Sequence, residues 1–269
     1  DRHGVVNPDD IARAITPRTV LISVMYANNE VGTIEPLAEI AKIAKGREIG
    51  RSSSAAKGHE IIFHTDAVQA GGYLELDVNT LGVDLMSLGA HKFHGPKGVG
   101  ALYVRAGTPL MAMQTGGSQE RGRRAGTENV PYIVGMATAL KIAQDHREQE
   151  NARLSALRER LAEGILERVA GAELTGDPKN RLPGHASFVI PGAVGDEMVL
   201  GLDLAGVAAS TGSACTAGSA EPSHVLAAMG YAPDVARGAL RLTLGRENTE
   251  ADVDYAVNAV ADVVGKLRK

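Results

Sequence analysis

Asp84-Leu85-Met86-Ser87-Leu88-Gly89-Ala90-His91-Lys92-Phe93-His94-Gly95-Pro96-Lys97-Gly98-Val99-Gly100 reads as a short apolar strand running into a lysine-bearing turn. Residues 84–88 are the strand, Gly95, Pro96 and Gly98 fix the turn, and residues 98–105 (GVGALYVR) begin the next strand at once. Taken alone, Lys92 is an ordinary loop charge. Held by this turn and flanked by His91, it can instead point into a site, where a desolvated lysine forms a Schiff base with an aldehyde. The turn is not a P-loop, because the Gly-Lys-Ser/Thr ending is absent. Upstream lie two more apolar, β-rich runs, residues 19–26 (TVLISVMY), read as a buried strand, and 61–65. Residues 36–44 have helical spacing with Pro at the first turn. Strands alternating with helices define an α/β domain on a mostly parallel central sheet with helices on both faces. Functional residues are then expected at the carboxyl ends of the strands.

Residues 131–169 read as one long helix or two, bridging to a smaller α+β domain. That domain is expected to hold a strand (186–190), a helix (196–204), a helix from Pro222, a strand (239–244) and a closing helix (250–267). The domain division is therefore 1–135 and 136–269. The first six residues, Asp1 to Val6, read as the end of a strand already in progress, with a helix from Ile11, so the chain is expected to begin inside a larger protein. Residues 46–60 (GREIGRSSSAAKGHE) are a long polar connection, expected to be a surface insertion without catalytic role. Composition narrows the function classes. The chain is 44% hydrophobic and 22% charged, as soluble globular proteins are. A net charge of −4 with 3% aromatics argues against a nucleic-acid or anionic-membrane surface. A single cysteine excludes an intrachain disulfide and fits a reducing, cytoplasmic setting.

That cysteine, Cys215, lies in Ser210-Thr211-Gly212-Ser213-Ala214-Cys215-Thr216-Ala217-Gly218-Ser219, which has no apolar periodicity. Most lone cysteines are inert small hydrophobes in a core. On a flexible, solvent-reached loop, a thiol reacts. His64-Thr65-Asp66-Ala67-Val68-Gln69 closes another strand. Asp66 there is either a helix cap or, paired with a Schiff-base lysine, the carboxylate that keeps the ring nitrogen of pyridoxal 5′-phosphate protonated. His59 and His64 are one residue too far apart for a zinc-protease motif, and no metal site is expected.

Further stretches extend these: Ala27-Asn28-Asn29-Glu30-Val31-Gly32, Arg121-Gly122-Arg123-Arg124-Ala125-Gly126-Thr127, Glu221-Pro222-Ser223 and Arg241-Leu242-Thr243-Leu244-Gly245-Arg246. Together, in order and across nearly the whole chain, they resemble the group I cysteine desulfurases, fold-type I pyridoxal-phosphate enzymes of aminotransferase class V. The resemblance implies that Lys92 is the Schiff-base lysine, with His91 against the cofactor, Asp66 on its pyridine nitrogen and Gln69 on its ring hydroxyl. It implies that Asn29 meets cofactor and substrate, and that Arg241 clamps the carboxylate of L-cysteine. Thr127 would reach the phosphate in the neighbouring subunit of a homodimer. Cys215 would carry the sulfur as a persulfide to an acceptor or iron–sulfur scaffold protein, meeting metal at most transiently. Where many relatives have a hydroxyl residue this chain has Gly89, which removes one implied phosphate contact. The phosphate-gripping turn and ring-stacking His of the family's N-terminal part are also absent. Alternatives remain another fold-type I lyase or aminotransferase, in which Cys215 is incidental, and an inactive truncated binding subunit.

Overall fold

The computed structural model describes residues 1–46, 60–212 and 222–269. They form two compact units, one of residues 8–26 and 36–147, the other of residues 1–7, 27–35 and 148–269.

The first unit opens with helix α1 (Pro8–Ala14) and strand β1 (Leu21–Met25), followed by α2 (Leu37–Lys45) and β2 (Ile62–Asp66). After α3 (Val78–Leu81) come β3 (Leu85–Gly89) and a single 3-10 turn (Ala90–Phe93), then β4 (Gly100–Val104) and α4 (Val130–Asp145). The sheet order is β1-β2-β3-β4, with the first three strands parallel and β4 antiparallel. Alternation places Phe63, Thr65 and Met86 in the interior, where α2 contributes Leu37, Ile40, Ala41 and Ala44. Gly82 ends α3 at φ +71, and a Cβ there would lie 2.6 Å from Ala41 Cβ, so only glycine lets the two helices approach. Beneath the 3-10 turn, Ala90 and Phe93 pack with Met136 of α4.

β1 is not buried as its composition suggests. Among the described residues it pairs only with β2, and Val20 and Leu21 are 59% and 49% exposed. Residues 1–6 are no strand either. The Asp1 carboxylate accepts the N–H groups of His3 and Val5, curling the segment into a turn.

The second unit contains α5 (Arg147–Arg168), β5 (Glu173–Leu174), β6 (His185–Val189), α6 (Gly195–Leu204), α7 (His224–Ala228), α8 (Pro233–Ala236), β7 (Ala239–Thr243) and α9 (Glu250–Leu267). Arg147, the first residue of α5, belongs to the first unit. The sheet of the second unit, β5-β6-β7, is antiparallel. One face, with Ala186, Phe188, Leu240 and Leu242, packs on α5, α6 and α9 through Leu161, Ile165, Leu202, Val257 and Val260. On the other, Val189 and Ala239 meet Leu226, Met229 and Val31. Every residue of β6 is buried, the expected result for a central strand covered on both faces. Val31 comes from the excursion 27–35, which leaves the first unit after β1 and returns to it before α2.

Candidate active site

Two parallel strands end together in the first unit. Asp66 closes β2 and is paired in register with Ser87, while β3 continues to Gly89 and the 3-10 turn that bears His91 and Lys92. The carboxylate and the amine are thus presented from adjacent strand ends. One Asp66 oxygen accepts the Val68 N–H at 2.9 Å, so the acid also caps its own turn. What it caps is a turn, with no helix following β2 until α3. His64, two residues earlier on the same face, bonds Ser23 Oγ through Nδ1 at 2.8 Å and Ser87 Oγ through Nε2 at 2.9 Å. Burial holds its imidazole below the ordinary histidine range, opposed by the nearby Asp66 charge. Sequence reading assigned no role to this Ser23–His64–Ser87 row, because it exists only once the three strands are aligned.

Lys92 and His91 are exposed among the described residues, rather than desolvated as a Schiff-base lysine requires. No described residue of their own unit covers their side chains. Gln69 is half-buried in the turn after β2, and Thr127 is exposed between Gly126 and α4. At Gly89 a Cβ would come to 3.3 Å from Val68 Cγ1 and 3.4 Å from His91 Cε1, so a side chain here would crowd Val68 and the His91 ring.

The second unit holds Asn29 and Arg241. Arg241 lies in β7 with Leu240 and Leu242 turned to the core, which sends its side chain to the face occupied by 27–35. Its Nη1 donates to the Asn29 carbonyl at 2.8 Å and to the Gly212 carbonyl at 2.7 Å. Its backbone exchanges two hydrogen bonds with Ser210. The segment 27–35 is itself held tightly. Asn28 Oδ1 accepts the N–H groups of Glu30 and Val31, and Arg181 donates to the carbonyls of Val31, Thr175 and His185. Burial, with Arg158 as a second like charge, lowers the Arg181 guanidinium to about 10. Gly32, at φ +79, lies under the His185 ring, where a Cβ would stand 2.8 Å from Cδ2.

Cys215 and the insertion 47–59 lie outside the described residues. Among the described residues, no group of three acidic, His or Cys side chains could hold a metal ion, and no helix is long and apolar enough to cross a membrane.

Fold and motif order agree with comparison to known proteins. The aminotransferase class-V family model matches residues 1–256, and the chain belongs to that family. It is 47% identical over its whole length to a cysteine desulfurase of Gluconacetobacter diazotrophicus, of which it spans 64%. It is 45% identical to the cysteine desulfurase IscS of Clostridium botulinum, of which it spans 65%. Among solved structures, a NifS-like protein superposes with a TM-score of 0.86 at 36% identity, over 99% of this chain and 67% of that one. The chain thus spans slightly less than two thirds of the first two relatives. The family's enzymes depend on pyridoxal 5′-phosphate. The first unit fits that group by its donor set, a carboxylate for a ring nitrogen and a primary amine for an aldehyde, side by side at strand ends.

Proposed function

We propose that the chain carries the greater part of a cysteine desulfurase, which removes sulfur from L-cysteine, leaves L-alanine and holds the sulfur as a persulfide on Cys215. One observation supports this reading most strongly: Arg241, the candidate carboxylate clamp, bonds the carbonyl of Gly212 three residues before Cys215. A clamp and a sulfur acceptor linked in this way suit one small amino acid.

Bound pyridoxal phosphate supplies an electron sink for the charge left when the substrate's α-proton departs. Asp66 would keep the ring nitrogen protonated, Gln69 would bond the ring hydroxyl, and His91 would lie against the ring. Lys92 would hold the aldehyde end and afterwards carry the α-proton. Arg241 grips the substrate carboxylate, for which its planar fork is better suited than lysine, and Asn29 orients the same substrate. The Cys215 thiolate attacks the substrate sulfur, so an S–S bond forms as the C–S bond breaks. The electron pair of the C–S bond stays on carbon and takes up a proton to give alanine. Thr127 serves the phosphate of the neighbouring subunit in a homodimer. The persulfide passes to a sulfur acceptor or iron–sulfur scaffold protein in the cytoplasm.

The test is to incubate the chain with pyridoxal phosphate and L-cysteine and weigh it intact. One added sulfur atom is expected on the wild type and none on Cys215→Ser, which should still show the visible band of bound cofactor. Equal alanine production by both proteins would assign the chain to another reaction of its family.

A further inference from the structure

Glu30 lies between the motif residues Asn29 and Val31, and neither cofactor nor substrate chemistry requires it. It is 4% exposed, one of few buried acids in the molecule. Its backbone is fixed on both sides, by Asn28 Oδ1 at its N–H (2.8 Å) and by His185 Nε2 at its carbonyl (2.9 Å). The carboxylate is thereby aimed. Its Oε2 accepts the Ser223 hydroxyl at 2.5 Å, the short distance of an O–H donor on a carboxylate oxygen. The same oxygen lies beside Gly212, 3.6 Å from where a Cβ would stand. Gly212 and Ser223 flank the stretch that contains Cys215. Ser223 also caps α7, accepting the Leu226 N–H at 3.2 Å, so whatever holds its hydroxyl holds the start of that helix.

We infer that Glu30 is a positioning residue, whose carboxylate bonds Ser223 beside Gly212 and so fixes the spacing of the two stems, residues 210–212 and 223–226, that flank Cys215 in the sequence. Arg241 and Glu30 divide the work. Arg241 bonds the Gly212 carbonyl on the first stem, and Glu30 bonds Ser223 on the second. Arg241 also bonds the carbonyl of Asn29, the residue before Glu30, so the two stems share a support in residues 29–30. A buried carboxylate is costly unless bonded, and here the bond it makes holds the second stem beside the first. The inference rests on the proposed role of Cys215 for its function, but its geometry does not.

Amide hydrogen exchange on the full chain tests it, together with the alkylation rate of the only thiol by iodoacetamide. Glu30→Ala is expected to speed exchange at both stems, residues 210–212 and 223–226, by about tenfold, the loss of one such hydrogen bond. Ser223→Ala should loosen the Gly212 stem as well, which loss of the α7 cap alone would not do. The double variant should be no looser than either single one, since both remove one bond. Glu30→Gln, whose amide oxygen can still accept the hydroxyl, should stay near the wild type. Alkylation of Cys215 should accelerate in step with the stems. The inference is overturned if Ser223→Ala leaves the Gly212 stem unchanged, if exchange rises equally in β6, or if the stems loosen while the alkylation rate does not move. Neither readout uses cofactor or L-cysteine. A failure here is therefore distinct from failure of the desulfurase reading, which the intact mass decides.

Discussion

The strand ends at Asp66 and Lys92 and the excursion 27–35 both present polar groups, by opposite means. At the strand ends, geometry comes from the sheet: parallel pairing places the two residues, and the Asp66 carboxylate accepts the Val68 N–H. Lys92 stays exposed. In the excursion strand pairing shrinks to two isolated antiparallel bridges, Ala27 with Ile34 and Thr33 with Arg181, and side chains add to them. Asn28, Arg181 and His185 hold successive backbone groups, and nearly all of this is buried. One region is set up to receive a ligand, the other to hold its own shape.

The first way to break the comparison is at Lys92. Because the side chain is exposed and supports no packing, Lys92→Ala should abolish the visible absorption of bound pyridoxal phosphate while the melting temperature stays within a degree or so of the wild type. A band that survives the change would remove Lys92 from the site. The reverse is expected at Arg181. Arg181→Ala leaves the carbonyls of Val31, Thr175 and His185 buried without their donor. A loss of about 3 kcal/mol is expected, or roughly 6–12 °C in melting temperature. Retention of wild-type stability would mean that the excursion is held by its hydrophobic contacts instead.

The smallest effect concerns Glu35, at the end of the excursion. Burial raises its carboxyl above the ordinary 4.5, partly offset by the bond from the Val6 N–H. The folded pKa exceeds the unfolded one, so the fold disfavours the ionised form. The native state binds the proton more tightly, and stability falls as pH rises from about 4.5 through the folded value. Glu35→Gln should therefore be slightly more stable than the wild type at neutral pH. The advantage should disappear in thermal melts below pH 4.5, and a constant difference across pH would show that Glu35 is not the titrating group.

Much of the fold is visible in the sequence because its signals are local. Residues 250–267 match α9 end to end, since Thr249 and Asp252 form a reciprocal cap before a periodic apolar face. The helix expected from Pro222 begins at His224, after the Ser223 cap. Residues 131–169 resolve into two helices at His146, whose Nδ1 lies 2.9 Å from the Ile142 carbonyl. No Gly or Pro marks that break. β5 and α8, two and four residues long, are too short to show a period. The chemistry of the site follows the same division. Asp66 and Lys92 are legible as residues at strand ends, whereas Glu30 is legible only from its partner 193 positions away.

That separation governs how the protein is made. Residues 27–35 leave the ribosome well ahead of Arg181 and Arg241, which hold them and follow 150 and 212 residues later. Until then Val31 and Glu30 lack their native partners from residues 148–269. Contacts of such range close slowly, and the growing chain must keep an apolar, acidic turn out of wrong pairings meanwhile. The second unit also cannot be obtained by cutting the gene at residue 148. A fragment of residues 148–269 would lack Val31, which packs with Val189, Ala239, Leu226 and Met229 on one face of its sheet, and would expose part of that face to aggregation.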